Sequence, residues 1–332
     1  MPWNILLTAR AIADVGAAAS KLLERAGCKL IHPPKRGPYP AAELMPLLEG
    51  IDAVLCSPDK YTAEVLASPE ARALKLISRW GVGYDSIDVP AATANGIIVA
   101  YVPGLLNNAV ADYAFAMLAA LARRIHTGHP SMLAGKWTPA WGHDIAHKTL
   151  GIIGCGRIGQ AMARRAAGFD MQLLGYDVVR NPDAEKLGVR FVSLDELLEQ
   201  SDFVTLHAAL TPETKNLIST PQLKKMKRSA YLINTARGAM IDEAALIQAL
   251  SEGWIAGAAL DAFTIEPMPD GHPFRTTPNL LLTPHQASWT RETGEKVSMA
   301  SAQAIVDVIE GRRPKNVVDQ KVFDAPNLRA RL

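Results

Sequence analysis

The most informative stretch of the chain is Thr149-Leu150-Gly151-Ile152-Ile153-Gly154-Cys155-Gly156-Arg157-Ile158-Gly159. A short apolar run is followed by glycines in G-x-G-x-x-G spacing and then by a helix-period segment that ends at Gly168. In that order the first glycine stands where the chain must turn, the second where backbone must approach a pyrophosphate, and the third where helix and strand must pack closely. Free N–H groups and the dipole at the start of the helix attract negative charge without help from a basic side chain, although Arg157 adds one. Gly154, Gly156, Arg157, Ile158 and Gly159 are therefore the candidate phosphate-binding residues. Gly81-Val82-Gly83 also follows an apolar run, but it lacks a third glycine and makes a poor phosphate turn.

The next apolar run, Leu173-Leu174-Gly175-Tyr176, ends in Asp177. That is about the twenty-residue offset at which a carboxylate hydrogen-bonds the adenosine ribose hydroxyls of a dinucleotide. A carboxylate there repels a 2′-phosphate, and Val178 and Val179 follow where a phosphate site would want Arg, so NAD is expected over NADP. Arg180 is close enough to keep that discrimination from being absolute.

Outward from this turn, short apolar runs alternate with helix-period segments, the pattern of parallel sheets with crossover helices. Candidate strands are Ile5 to Thr8, Lys29 to His32, Ala53 to Ser57 and Leu74 to Ser78. A second group comprises Thr149 to Ile153, Gln172 to Tyr176, Phe203 to Leu206, Ala230 to Asn234, Gly257 to Leu260 and Leu280 to Leu282. Between the groups, Leu106, Val110, Tyr113, Met117 and Leu121 recur at helical intervals, predicting one long helix over Leu105 to Arg124. Another runs from Arg291 to Glu310 and stops at Gly311, with Pro314 beyond it. A chain of 332 residues exceeds the size at which a single core stops growing, so two domains are expected.

Composition narrows the functional classes. Lys and Arg (35) nearly balance Asp and Glu (33), with no block of one sign, which argues against a nucleic-acid partner. The hydrophobic share of 48% and charged share of 20% fit a folded globular chain rather than a disordered one. Cys28, Cys56 and Cys155 are too scattered for a disulfide framework or a thiolate metal site, which fits a reducing compartment. The apolar run within Met1 to Arg10 is too short for a signal sequence and no stretch can span a bilayer, so a cytoplasmic protein without membrane contact is expected.

In a doubly wound sheet, ligands bind outside the carboxyl ends of the strands. Here the strands run out into polar residues: His207, Thr235 and Arg237, Asp261, and His285. Reduction of a 2-oxo acid needs a cation for the carboxylate, a proton donor for the carbonyl oxygen, and a hydride within reach. Arg237 suits the first, because its planar fork bonds two oxygens and stays charged. His285 suits the second, because an imidazole donates in one direction while it accepts in the other. Glu266, in the loop Glu266-Pro267-Met268-Pro269, reads by itself as a solvated carboxylate; bonded to the imidazole it would favour the protonated form. His143 and His147 lie in a segment rich in Trp, Pro and Gly without acidic or thiolate partners, so no metal site is expected.

Taken together, the glycine turn, Asn234-Thr235-Ala236-Arg237-Gly238, Leu260-Asp261-Ala262-Phe263, Glu266-Pro267 and Thr283-Pro284-His285 resemble the D-isomer-specific 2-hydroxyacid dehydrogenase family. Arg79-Trp80-Gly81-Val82-Gly83-Tyr84-Asp85 looks like that family's substrate loop, and Leu210-Thr211-Pro212-Glu213-Thr214 like its cofactor loop. The resemblance implies an α/β fold of two doubly wound parallel-sheet domains, a Rossmann cofactor domain over 101–289 and a flavodoxin-like substrate domain built from 1–100 and 290–332, with the active site in the cleft between. It implies Arg237, Glu266 and His285 as the catalytic triad, and backbone N–H groups of Val82 and Gly83 as the grip on the substrate carboxylate. Thr235, His207 and Asp261 are placed around the bound NAD, Asp261 near its nicotinamide end.

A homodimer is implied as well, with a small 2-hydroxy or 2-oxo acid as the substrate. Asp112 and Ala209 depart from the Glu and Pro common in the family without touching the triad. Phosphoglycerate-oxidising relatives tend to carry an Arg after the third strand, where this chain has Cys56-Ser57; Arg79 or Lys60 is left to stand in for it. Two alternatives stay open: an NAD-sensing binding protein that keeps the triad, and an enzyme acting on an unusual acid such as phosphite, a sulfonated lactate or 3-phosphoglycerate.

Overall fold

The computed structural model describes residues 2–332 and divides into two compact units. Unit 1 comprises the residues up to Leu106 together with Trp289–Leu332, and unit 2 comprises Asn107–Ser288. The first boundary falls six residues after the division expected at 100/101, because the Tyr101 and Val102 amides donate to the carbonyls of Asn316 and Gly81 inside unit 1.

Unit 1 is built on β1 (Asn4–Leu7), β2 (Lys29–Ile31), β3 (Ala53–Cys56), β4 (Leu76–Arg79) and β5 (Ile98–Ala100), all parallel, in the order β2-β1-β3-β4-β5. That is the flavodoxin-like order. Alternation along the strands sends Ile5, Leu7, Leu55, Leu76 and Ile98 to one face, where they meet Val297, Ile305 and Val306 of the helix Arg291–Ile309. The intervening Leu6, Val54, Cys56, Ile77 and Val99 form the opposite core. Strand β5 was not expected from the sequence.

Unit 2 contains β6 (Thr149–Ile153), β7 (Gln172–Tyr176), β8 (Val189–Phe191), β9 (Phe203–Leu206), β10 (Tyr231–Asn234), β11 (Gly257–Leu260) and β12 (Leu280–Leu282). They form one parallel sheet ordered β12-β11-β10-β9-β6-β7-β8, the Rossmann arrangement extended by one strand. On one face, Leu150, Ile152, Phe203 and Ile233 pack with Met117 and Leu121 of the helix Asn107–Ala122 and Ala163 of the helix Arg157–Ala167. The other face carries Ile153, Val204, Leu206 and Leu232 against Leu197, Leu223 and Leu246. Strand order reverses between β6 and β9, so the loops after these two strands flank the point where a ligand enters such a sheet. Among the described residues no helix is long and apolar enough to cross a membrane.

Candidate active site

The glycine turn sits at that reversal. Gly154 has φ +92°, and a Cβ on it would lie 2.3 Å from the Ala208 amide nitrogen, so only glycine lets the turn pass the backbone leaving β9. A Cβ on Gly159 would lie 2.1 Å from the Gly154 carbonyl oxygen, which brings the helix Arg157–Ala167 down against the turn. Gly156 is different: a Cβ there would meet nothing within 4 Å, and the residue caps the helix with no side chain bonded to the free amides. This opening over unbonded N–H groups is the cradle that a pyrophosphate requires. Gly156 and Arg157 are exposed, with Ile158 partly so.

Asp177, at the end of β7, fastens the turn to the sheet. Its two carboxylate oxygens accept from the Cys155 amide at 2.7 Å and the Val178 amide at 2.8 Å. Each oxygen keeps a lone pair for a further donor such as a ribose hydroxyl. His207 follows β9; its amide bonds Ile153 O at 2.7 Å and its Nε2 lies 3.0 Å from Thr205 Oγ1. Burial pushes this imidazole down to about 4, so it is neutral near pH 7. Thr235, just past β10, is buried with an Oγ1 that finds no partner, an orphaned polar atom of the kind a ligand completes. The residues present thus fit a dinucleotide.

The strand ends of β10, β11 and β12 bring the second group together. Asn234, fully buried, accepts from the Ala236 amide at 2.9 Å and donates to the Arg237 carbonyl at 2.8 Å, which shapes the bend that presents Arg237. Gly238 follows because a Cβ there would strike Phe263 C at 2.0 Å, so the loop carrying Glu266 can pass close by. Within that loop Glu266 Oε1 accepts from the Phe263 amide at 2.9 Å, and Oε2 lies 2.7 Å from His285 Nδ1. Burial pushes the Glu266 carboxyl up, but the hydrogen bond and charge of His285, the Phe263 amide and the charge of Arg237 outweigh it, and the carboxyl ends below its ordinary value. An ionised carboxylate only accepts, so Nδ1 is the donor and Nε2 is the ring nitrogen turned to other partners.

His285 sits at φ +52°, a left-handed conformation that a non-glycine residue holds only when its neighbours impose it. Asp261 imposes it. With 1% of its surface exposed, its carboxylate accepts from Thr283 Oγ1 (2.6 Å), the Gln286 amide (2.9 Å) and the Ala287 amide (2.8 Å), the residues flanking His285. Burial drives the Asp261 carboxyl up against the pull of these donors, with burial prevailing.

Two bracing contacts had no sequence signal. Gln286 Nε2 donates to Tyr113 Oη at 2.6 Å, and Glu243 Oε1 accepts from Thr264 N at 3.0 Å, 21 positions along the chain. Such separations leave no spacing to read. His143 and His147 lie outside any helix, the latter at φ +61°.

In unit 1, Val82 and Gly83 lie in the loop after β4, both partly exposed, and their amides donate to no acceptor among the described residues. Arg79, one of the two residues left to stand in for a substrate-phosphate ligand, is only 8% exposed and donates from Nε to Gly83 O at 2.9 Å and from Nη1 to Trp80 O.

Comparison with known proteins agrees with this geometry. The model of the D-isomer specific 2-hydroxyacid dehydrogenase NAD binding domain matches residues 115–287, inside unit 2. A glyoxylate reductase from Korarchaeum cryptofilum is 47% identical over 272 residues, 80% of this chain and 81% of that one. One from Thermofilum pendens is 42% identical over 304 residues, 89% of each. Among solved structures, D-lactate dehydrogenase from Aquifex aeolicus, complexed with NAD and lactic acid, superposes with a TM-score of 0.84 at 28% identity, covering 95% of this chain and 98% of that one.

Proposed function

The chain belongs to the D-isomer-specific 2-hydroxyacid dehydrogenase family, and on that footing we propose that it reduces glyoxylate, or a 2-oxo acid of similar size, using Arg237, Glu266 and His285. It is an NAD-dependent oxidoreductase that moves a hydride between nicotinamide and a small 2-hydroxy or 2-oxo acid. The relatives named glyoxylate reductase support the choice of acid. The observation that carries the assignment of roles is the 2.7 Å contact of Glu266 with His285 Nδ1, with the charge of Arg237 acting on the same carboxylate.

NADH, when bound, supplies the hydride for the carbonyl carbon. His285 gives the proton to the carbonyl oxygen through Nε2, the nitrogen that Glu266 leaves unoccupied. Glu266 holds the ring in that tautomer and offsets its positive charge. Arg237 binds the acid with its planar fork and polarises the carbonyl. The Val82 and Gly83 amides take the carboxylate. Gly154, Gly156, Arg157, Ile158 and Gly159 hold the pyrophosphate, Asp177 the adenosine ribose, and Thr235, His207 and Asp261 line the remainder of the dinucleotide. Unit 1 serves as the substrate domain.

NADH oxidation with glyoxylate, hydroxypyruvate, pyruvate, 2-oxoglutarate and phosphohydroxypyruvate tests this reading. Glyoxylate is expected to give the highest kcat/KM. His285→Ala is expected to lower kcat by about 10²–10⁴-fold, and Arg237→Ala to raise KM as well. Tight NADH binding without turnover of any acid would make the protein a sensor instead.

A homodimer belongs to the same proposal. The helix Ile125–Leu133 buries none of its residues, and Leu133 (77% exposed), Trp137 (84%) and Trp141 (97%) extend it as an apolar arm. A patch of this kind calls for a cover, and a second copy of the chain is the cover we assign. The three cysteines are free thiols, in keeping with a cytoplasmic location.

A further inference from the structure

We propose that Arg79 is a positioning residue for the acid's carboxylate, acting through the loop Trp80–Gly83 that its guanidinium holds from behind. The inference rests on the reading of Val82 and Gly83 as carboxylate donors. Arg79 closes β4, and its side chain turns inward rather than to solvent. From there one rigid fork reaches both ends of the loop, with Nη1 on the Trp80 carbonyl and Nε on the Gly83 carbonyl at 2.9 Å.

Within a planar trans peptide the C=O of one residue and the N–H of the next point in opposite directions, so fixing a carbonyl aims the amide across from it. Arg79 fixes the Trp80–Gly81 and Gly83–Tyr84 planes, and the Val102 amide fixes the Gly81–Val82 plane by donating to Gly81 O at 2.9 Å. The Val82–Gly83 plane is thereby set between two held neighbours. The result is a loop whose Trp80, Gly81 and Gly83 carbonyls are held from within unit 1 while its Val82 and Gly83 amides find no acceptor among the described residues, an arrangement that can receive an anion.

Two further observations fit this role better than general packing. Gly81 has φ +133°, and a Cβ there would stand 3.2 Å from Arg79 Nη1, so backbone and guanidinium are fitted to each other. Burying a guanidinium is costly unless it is bonded and balanced. Asp59, fully buried and held by Thr8 Oγ1 at 2.5 Å and the Tyr39 amide at 2.8 Å, lies within electrostatic reach of the guanidinium; burial pushes its carboxyl up, and the guanidinium pulls it down against that push. An apolar side chain would fill this space without that cost, but it would leave two carbonyls unheld.

The test compares wild type, Arg79→Lys and Gly81→Ala. Lysine keeps the charge but cannot hold two carbonyls in one plane; alanine presses on Nη1 and strains the left-handed backbone. Measured are KM for glyoxylate, kcat, Kd for NADH, and the affinity of the protein–NADH complex for oxalate, an unreactive carboxylate, by calorimetry. In both variants KM for glyoxylate and Kd for oxalate are expected to rise together by about tenfold, the scale of one lost charge-assisted hydrogen bond. NADH affinity and kcat at saturation should stay within about twofold.

Unchanged oxalate affinity in Arg79→Lys overturns the proposal. So does a rise in Kd for NADH parallel to that for oxalate, which marks general loosening, or a wild type that binds no oxalate. Should Arg79→Lys fail to fold, Gly81→Ala delivers the same readout. A wild type that binds oxalate but reduces no acid refutes the proposed function and leaves the oxalate comparison to decide the role of Arg79.

Discussion

His207 and Glu266 show how single residues tie this fold to pH. His207 holds its proton to about 4 in the folded chain, against an ordinary 6.5. The unfolded state therefore binds the extra proton first, and stability that is complete above pH 6.5 drains away as the pH falls toward 4. Glu266 is depressed below its ordinary 4.5, so its contribution is present above pH 4.5 and is lost on further acidification through its folded value. Urea midpoints measured from pH 7 to 4 are expected to fall more in wild type than in His207→Gln; parallel curves would refute this. Neither environment is written in the sequence. Glu266 sits in a Pro-rich loop that reads as solvated, and it becomes the partner of His285 only because a chain segment 19 residues on returns to it.

At the scale of elements, the three glycines of the turn serve separable ends. Gly156→Ala adds a methyl into open space at an ordinary φ of −72°, so Tm is expected to stay within about 2 °C while Kd for NADH rises at least about tenfold, because the methyl stands where the phosphates belong. Gly159→Ala drives a methyl into the Gly154 carbonyl and is expected to cost about 1–3 kcal/mol of stability as well as affinity. A Gly156→Ala protein with unchanged NADH affinity would remove the turn from the binding site.

This turn was legible in the sequence because strand, glycines and helix are contiguous. Strands β6, β7, β9, β11 and β12 were legible for the same reason, as apolar runs bounded by turn residues. The helix Ile125–Leu133 was not: it carries Gly128 and Pro130 and buries nothing, so no apolar stripe betrays it.

For the whole molecule, the exposed arm yields a test of assembly. Wild type is expected to sediment at twice the monomer mass at micromolar concentration, and Leu133→Asp combined with Trp137→Glu to sediment as a monomer. A wild-type monomer would discard the homodimer. The two units themselves arise from chain order: the apolar runs fall into two groups, and the helix Arg291–Ile309 returns to the first sheet, where Val297 and Ile305 join the core around Ile5 and Leu55.

Taken alone, the sequence determined two parallel-sheet units and marked the glycine turn, since each depends on residues within a few positions of one another; the triad it offered only through the resemblance of short motifs to those of a family. Tertiary structure alone decided how the site is held. Asp261 grips Thr283, Gln286 and Ala287 from 22 to 26 positions away, Tyr113 meets Gln286 across 173, and Arg79 turns inward to its own loop. Local patterns report which conformations a segment prefers; the partner of a buried polar group is set by which distant segments the packed sheets bring within about 3 Å, and no spacing along the chain encodes that.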